Sequence, residues 1–250
     1  MFQITFRGFH TFVFKLKIMK KAILFSICLV ITAALSGQAT IEDRSYFTSG
    51  TELIFQFATI DNNGIEGGNV MRFSGFLHLQ GFYHRDFGKA FGIMAGLGLR
   101  NVGFIWEDQA VGVKKKYRNY NVGIPFAIKL GNMEKFYLYT GYEIEFPINY
   151  KEKTFTNERK DDVFNVWFSD RTPAFYNTVF LGVKFKYGID LKFKYYLTNF
   201  FNQDYSEVNN DGVTEYPFQG IDVRIFYFSL NINLFRDADF RYSRHEIKKM

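Results

Sequence analysis

The chain has 250 residues, 31 Lys and Arg against 25 Asp and Glu, and aromatic side chains at 20% of all positions. The formal charge of +6 invites a nucleic-acid or anionic-lipid reading, yet five cations (Arg7, Lys15, Lys17, Lys20, Lys21) precede Ala39 with no acid among them. Setting those five aside leaves about +1, so no global basic bias remains and no nucleic-acid partner is expected.

Met19-Lys20-Lys21 opens a basic stretch, Ala22 to Leu35 is apolar, and Ser36-Gly37-Gln38-Ala39 offers small residues for cleavage. That is the layout of a secretory signal peptide over residues 1–39, with Met19 as the expected start and an aromatic extension ahead of it. The apolar run is short for a membrane helix. The single cysteine, Cys28, falls inside it after Ile27, where a lipoprotein signal wants a small residue. No lipid anchor, disulfide or thiol chemistry is therefore expected downstream. The remaining chain carries no linker or change of pattern, which suits one domain over 40–235 followed by a charged tail over 236–250.

From about Gly50 to Phe235 apolar residues recur at every second position, the signature of strands with two unlike faces. The first strand, near Thr51 to Thr59, sets Leu53, Phe55 and Phe57 against Glu52 and Gln56. The second, Val70 to His84, sets Phe73, Leu77, Leu79 and Tyr83 against Arg72, Ser74, His78, Gln80 and His84, and Arg85 to Lys89 form a short turn. The third, Ala90 to Trp106, pairs an apolar face with a glycine-rich one that holds Arg100. The fourth, Tyr117 to Leu130, carries Pro125 on its polar face, where the lost donor predicts a bulge or local break. The fifth, Lys135 to Tyr150, directs Glu143 and Glu145 away from its apolar side. A charged loop, Lys151 to Pro173, leads to strands six (Ala174 to Phe185) and seven (Ile189 to Leu197), the latter alternating Asp190, Lys192 and Lys194 with apolar residues. A second long loop, Thr198 to Gln219, precedes the last strand, Ile221 to Phe235.

Four long connections alternating with three short turns predict an all-β fold: an eight-stranded antiparallel up-and-down transmembrane β-barrel. A lipocalin shares that strand number with its faces exchanged. The apolar face here is too aromatic for an eight-stranded interior, several strands are long enough to cross a bilayer at a tilt, and the polar face mixes both charge signs. The inward polar set is then Arg72, His78, His84, Arg100, Glu143, Glu145, Asp190, Lys192, Lys194, Asp222 and Arg224. The barrel diameter favours an ion-paired filling. The sharper alternative is a lipid-modifying site, with Ser74 as nucleophile and His78 or His84 beside Glu143 or Glu145. Asp61-Asn62-Asn63-Gly64 and Asn209-Asn210-Asp211-Gly212 lack the closing acid of a calcium loop and read as turns. No catalytic residue, cofactor or metal is assigned, and the chain is expected not to be an enzyme.

Gly96 to Phe104, and Val122-Gly123-Ile124-Pro125-Phe126-Ala127-Ile128-Lys129-Leu130-Gly131, resemble blocks of outer-membrane β-barrel proteins of the Bacteroidota, in the porin-family and PorT-like group. Glu143-Ile144-Glu145 running to Asn149–Lys153, Leu191 to Leu197, and Phe226 to Leu230 are similar to three more. The resemblance implies a barrel in the cell outer membrane, with outer-membrane lipid and the barrel-assembly machinery as partners. It implies no catalytic or ligand residue. The tyrosine that often precedes Ile-Pro is displaced here to Tyr120, so a secretion role does not carry over. The expected role is structural or surface-interacting through the long loops, with a narrow channel and a lipid-modifying enzyme as alternatives.

Overall fold

The computed structural model describes residues 43–66, 70–108, 112–157, 159–185, 188–209, 211–236 and 240–241. The expected signal peptide, and all of the tail but residues 236 and 240–241, lie outside these residues. The strands are β1 (Asp43–Asn62), β2 (Ile65–Glu66), β3 (Arg72–Ser74), β4 (Leu79–Phe87), β5 (Phe91–Asp108), β6 (Val113–Asn132), β7 (Phe136–Thr156), β8 (Arg159–Trp167), β9 (Tyr176–Phe185), β10 (Ile189–Tyr196), β11 (Glu207–Val208), β12 (Thr214–Glu215), β13 (Ile221–Arg236) and β14 (Phe240–Arg241). Eight of them form one antiparallel ring in the order β13-β10-β9-β7-β6-β5-β4-β1, and β1 pairs with β13 to close it. Closure leaves no strand edge to satisfy in lipid.

The two-residue period decides which side chains go where. Along β1, Tyr46, Thr48, Glu52, Ile54, Gln56 and Ala58 are buried inside, while Phe47 and Phe55 face out. The same division runs round the ring, leaving Leu97, Ile124, Phe126, Leu138, Leu181 and Leu191 exposed on the outer wall. An exposed apolar belt of this extent is at home in hydrocarbon rather than water.

The second expected strand is two strands, β3 and β4, both paired with β1. Between them β1 steps from Ile54 to Thr51 while the partner chain steps from Ser74 to Leu79, turning through Leu77 at φ 58°. The surplus is two residues, so parity survives and Ser74, His78 and Gln80 all stay inside. At Pro125 the expected break occurs on one side only: the β5 ladder skips Gly96 and Leu97, opposite Pro125 and Ile124, without a change of register. A further irregularity lies opposite Tyr120 and Asn121, where β7 inserts Ile148 after Pro147.

The expected loop Lys151 to Pro173 is instead largely strand. β7 continues to Thr156, and β8 folds back along it. The β5–β6 pairing also runs to Asp108 and Val113, so β5, β6, β7 and β8 rise together past the ring. Asp61 Oδ1 accepts from the Gly64 N–H at 2.7 Å, and Asn209 Oδ1 accepts from Asp211 and Val213 N–H at 3.0 Å. Both Asn/Asp/Gly runs are thus turn-formers.

Gly141 sits where a Cβ would run into the Phe126 carbonyl oxygen and the Phe180 ring, whereas nothing approaches a Cβ at Gly81. Gly141→Ala is expected to destabilise the folded barrel by about 1–3 kcal/mol, and Gly81→Ala by less than about 0.5 kcal/mol. Urea unfolding in lipid vesicles, followed by Trp106 and Trp167 emission, checks both.

Candidate functional site

The interior is layered along the barrel. At the end that carries the long connections, Phe200, Phe201 and Phe218 of the β10–β13 segment fold inward onto Phe104, Ile54 and Ile225. Phe201 stacks on Phe218 at 4.3 Å, and Phe104 meets Phe200 edge-on at 5.2 Å. Tyr176 Oη donates to the Phe200 carbonyl at 2.8 Å, which pins this segment over the mouth. At the short-turn end Met94, Ala127, Met133, Tyr137, Tyr139 and Phe180 make a second apolar cluster.

Six buried charges lie between these layers. Arg100 on β5 donates to Glu143 on β7, and its two terminal nitrogens stand 3.5 Å from Glu145 and from Glu52 on β1. Lys194 on β10 bonds Glu143 at 2.7 Å and also pairs with Glu145; Lys192 pairs with Glu52. Tyr196 Oη and Asn121 Nδ2 donate to the second Glu145 oxygen at 2.5 and 2.8 Å. Three acids thus face three bases, each 5% exposed or less. Charges taken from water cost several kcal/mol each unless they are paired this way. Gly98 and Gly123 face each other beside Arg100; a Cβ at Gly98 would strike its guanidinium, and one at Gly123 would strike the Glu143 carboxylate first and then the guanidinium. Their bare backbones make the room that this side chain occupies.

A second cluster groups Lys129, Asp86, His84, Tyr46 and Thr48. Lys129 pairs with Asp86 and donates to His84 Nδ1 at 3.3 Å, which leaves Nε2–H to donate to Thr48 Oγ1 at 2.8 Å. Tyr46 stacks on the His84 ring at 4.5 Å. Asp190 accepts from Tyr139 Oη at 2.6 Å. The remaining cavity beside these groups, lined by Gln80, His84, Met94, Tyr139, Glu143 and Asp190 among others, holds about 10 Å³. That is room for about one water.

Of the expected inward residues, Arg100, Glu143, Glu145, Lys192 and Lys194 meet in one network, and His84 and Asp190 lie inside near it. Arg72 is half-buried and bonds the backbone and side-chain oxygens of Asn101 at 3.2 and 2.6 Å, apart from the carboxylates. Asp222 and Arg224 are misplaced: they pair with each other at 3.0 Å, partly exposed, because β13 buries Val223, Ile225 and Tyr227 and turns even-numbered residues outward. The expected inward set lacks Glu52, which the sequence places on the polar face of the first strand, and also Asp86 and Lys129. Each lies on the inward parity of its strand, and Asp86 belongs to β4 because the turn expected from Arg85 begins only after Phe87.

Ser74 and His78 form a buried pair at 2.8 Å, and among the described residues no hydrogen bond or ion pair joins His78 to Glu143 or Glu145. The Asn101 N–H points at His78 Nδ1 at 3.4 Å. Nε2 then carries the proton and donates to Ser74 Oγ, the reverse of what a general base for that serine needs.

A closed antiparallel ring with an apolar outside and a paired polar inside defines a β-barrel protein of the outer-membrane kind. No protein-family model and no curated protein sequence matches the chain. Among solved structures it is similar to Ail, the attachment invasion locus protein of Yersinia pestis, in complex with the heparin analogue sucrose octasulfate: 12% identity over 79% of this chain and 100% of that one, TM-score 0.36. It is similar to the outer membrane protein OprG from Pseudomonas aeruginosa at 9% identity, covering 81% and 98%, TM-score 0.35. The outer membrane protease OmpT from Escherichia coli aligns at 11% identity, covering 82% and 98%, TM-score 0.39. The expectation that this chain is not an enzyme is corrected here, because the barrels it aligns with include a protease and the architecture leaves catalysis open.

Removing one partner from the charged interior should be worse than removing two. Lys194→Met is expected to cost about 3–5 kcal/mol by stranding Glu143 and Glu145, and adding Glu145→Gln should recover part of that loss. A double-mutant cycle on unfolding free energy measures the coupling, and additive losses would show that the pair does not act together.

Proposed function

We propose that this protein is a closed barrel of the bacterial outer membrane, of the Bacteroidota type, that works through its surface rather than through its lumen. The observation that carries the reading is the filling of the interior: three acids against three bases across the middle, with aromatic residues packed over the mouth. An eight-stranded ring has space for side chains and little else. The chain instead exposes apolar and aromatic side chains beyond the ring. The β7–β8 extension carries exposed Val163 and Phe164, and the β11–β12 hairpin exposes Val208, Val213 and Tyr216. Aromatic groups held on a rigid strand pair are suited to contact a partner molecule. In this reading the chain is exported by its signal peptide and inserted by the barrel-assembly machinery, with the long connections outside the cell and both strand ends in the periplasm.

Single-channel recording on the refolded protein in planar bilayers tests the closed lumen. A silent membrane, from protein whose gel mobility shifts on heating as a folded barrel's does, is the expected outcome. Stable unitary steps would replace this reading with a narrow pore.

A further inference from the structure

The part of the sheet that rises past the ring has two faces, and one of them is cationic. Along the β6–β7 ladder, Arg118 lies opposite Lys151 and Lys116 opposite Lys153, on the face that continues the lipid-facing wall through Tyr120, Val122 and Ile124. Like charges placed directly opposite each other disfavour strand pairing. Two such pairs in succession therefore call for a counter-charge. Among the described residues no carboxylate lies within ion-pairing distance of these four side chains. Two nearby acids are committed elsewhere: Glu107 pairs with Lys114 at 3.0 Å, and Glu152 pairs with Lys115 at 3.2 Å on the other face. Asp161 and Asp162 stand beside Lys153 across the β7–β8 ladder but form no ion pair with it, and Asp162 Oδ1 accepts from the Val163 N–H at 2.8 Å.

Three further features mark this face as a prepared surface. Arg118 Cζ lies over the Tyr120 ring and Lys116 Nζ over the Phe155 ring, each at 4.8 Å from the centroid, which holds the cations upright over aromatic supports. Arg118 Nε is buried with no acceptor among the described residues. Partial desolvation and then the cations Lys151, Arg118, Lys160 and Lys116 also hold the Lys153 ammonium below the ordinary lysine range. An anion seated here would relieve the like-charge pairs, the unpaired Arg118 Nε and the lowered Lys153 together.

We propose that this face binds the phosphate groups of membrane lipid headgroups, with the acyl chains lying against Val122 and Ile124 and the phosphates against the Arg118–Lys151 and Lys116–Lys153 pairs. The inference rests on the membrane-barrel reading above. At a strand tilt of about 40°, the Arg118–Lys151 pair stands about 5 Å beyond Tyr120 along the normal and the Lys116–Lys153 pair about 10 Å. With a headgroup layer about 5–8 Å thick on each side, the first pair lies within it and the second just above it, from where long lysine side chains reach back to the phosphates. A soluble polyanion would use the cations but not the apolar wall beneath them. A lipid uses both.

The test is native mass spectrometry of the full chain in detergent, with bis-phosphorylated lipid A, its dephosphorylated form and sucrose octasulfate as probes. Heat-shifted gel mobility is checked first, and its absence in the wild type would sink the barrel reading itself rather than this site alone. For folded protein, lipid A should bind at least tenfold more tightly than its dephosphorylated form. The K116Q/R118Q/K151Q/K153Q variant should lose that preference, while K89Q/K135Q at the opposite rim should keep it. If the fourfold variant does not fold, K116Q/K153Q and the wild-type comparison of the two lipid A forms decide the matter. Equal binding of both forms, or sucrose octasulfate binding as tightly as lipid A, would overturn the proposal.

Discussion

Arg100 is the point on which the interior turns. From one strand it reaches carboxylates on two others, and through those carboxylates it is tied to two lysines on β10. The connected strands β1, β5, β7 and β10 are spread around the ring, so the network braces the barrel across its lumen rather than along its wall. Such a brace works only as a balanced whole, since each charge left alone inside is worth several kcal/mol of instability. The surrounding sequence serves that balance. Gly98 and Gly123 clear space for the guanidinium, Tyr196 and Asn121 satisfy the second Glu145 oxygen, and apolar clusters at both ends keep water from the centre.

The barrel was legible because its strands alternate, and alternation states both the element and the face. Arg100, Glu143, Glu145, Lys192 and Lys194 follow from parity alone, and the structure joins them. Asp222 and Arg224 fail by the same rule: they share the parity of Phe226 and Phe228, which face outward. Near a barrel's rim a charged residue can face outward at little cost, so charge alone does not locate it. Glu52 and Lys129 are equally readable, since both lie within the expected strands on the inward parity, whereas Asp86 falls in the expected turn and only the longer β4 brings it inside.

Other features were beyond local reading. The surplus residues between Ser74 and Leu79 are defined only against the register of β1, which a single strand does not reveal. The fold-back of β8 is hidden by its charges, since an exposed strand pair needs no apolar period to form. Phe200 and Phe201 lie in a segment that looks like a surface loop. Their burial over the mouth depends on Tyr176, Phe104 and Phe218, brought together from three distant parts of the chain.

The same outward parity links the apolar belt to the cationic face above it, so the whole account depends on which face meets lipid. The direct test is fluorescence from a label on Leu181→Cys, in a Cys28→Ala background, with the protein refolded into vesicles. Strong quenching by lipids brominated in their chains, and little by aqueous acrylamide, is the predicted result. Free access of acrylamide to Leu181 with no effect of brominated lipid would place the apolar face in water and contradict the account.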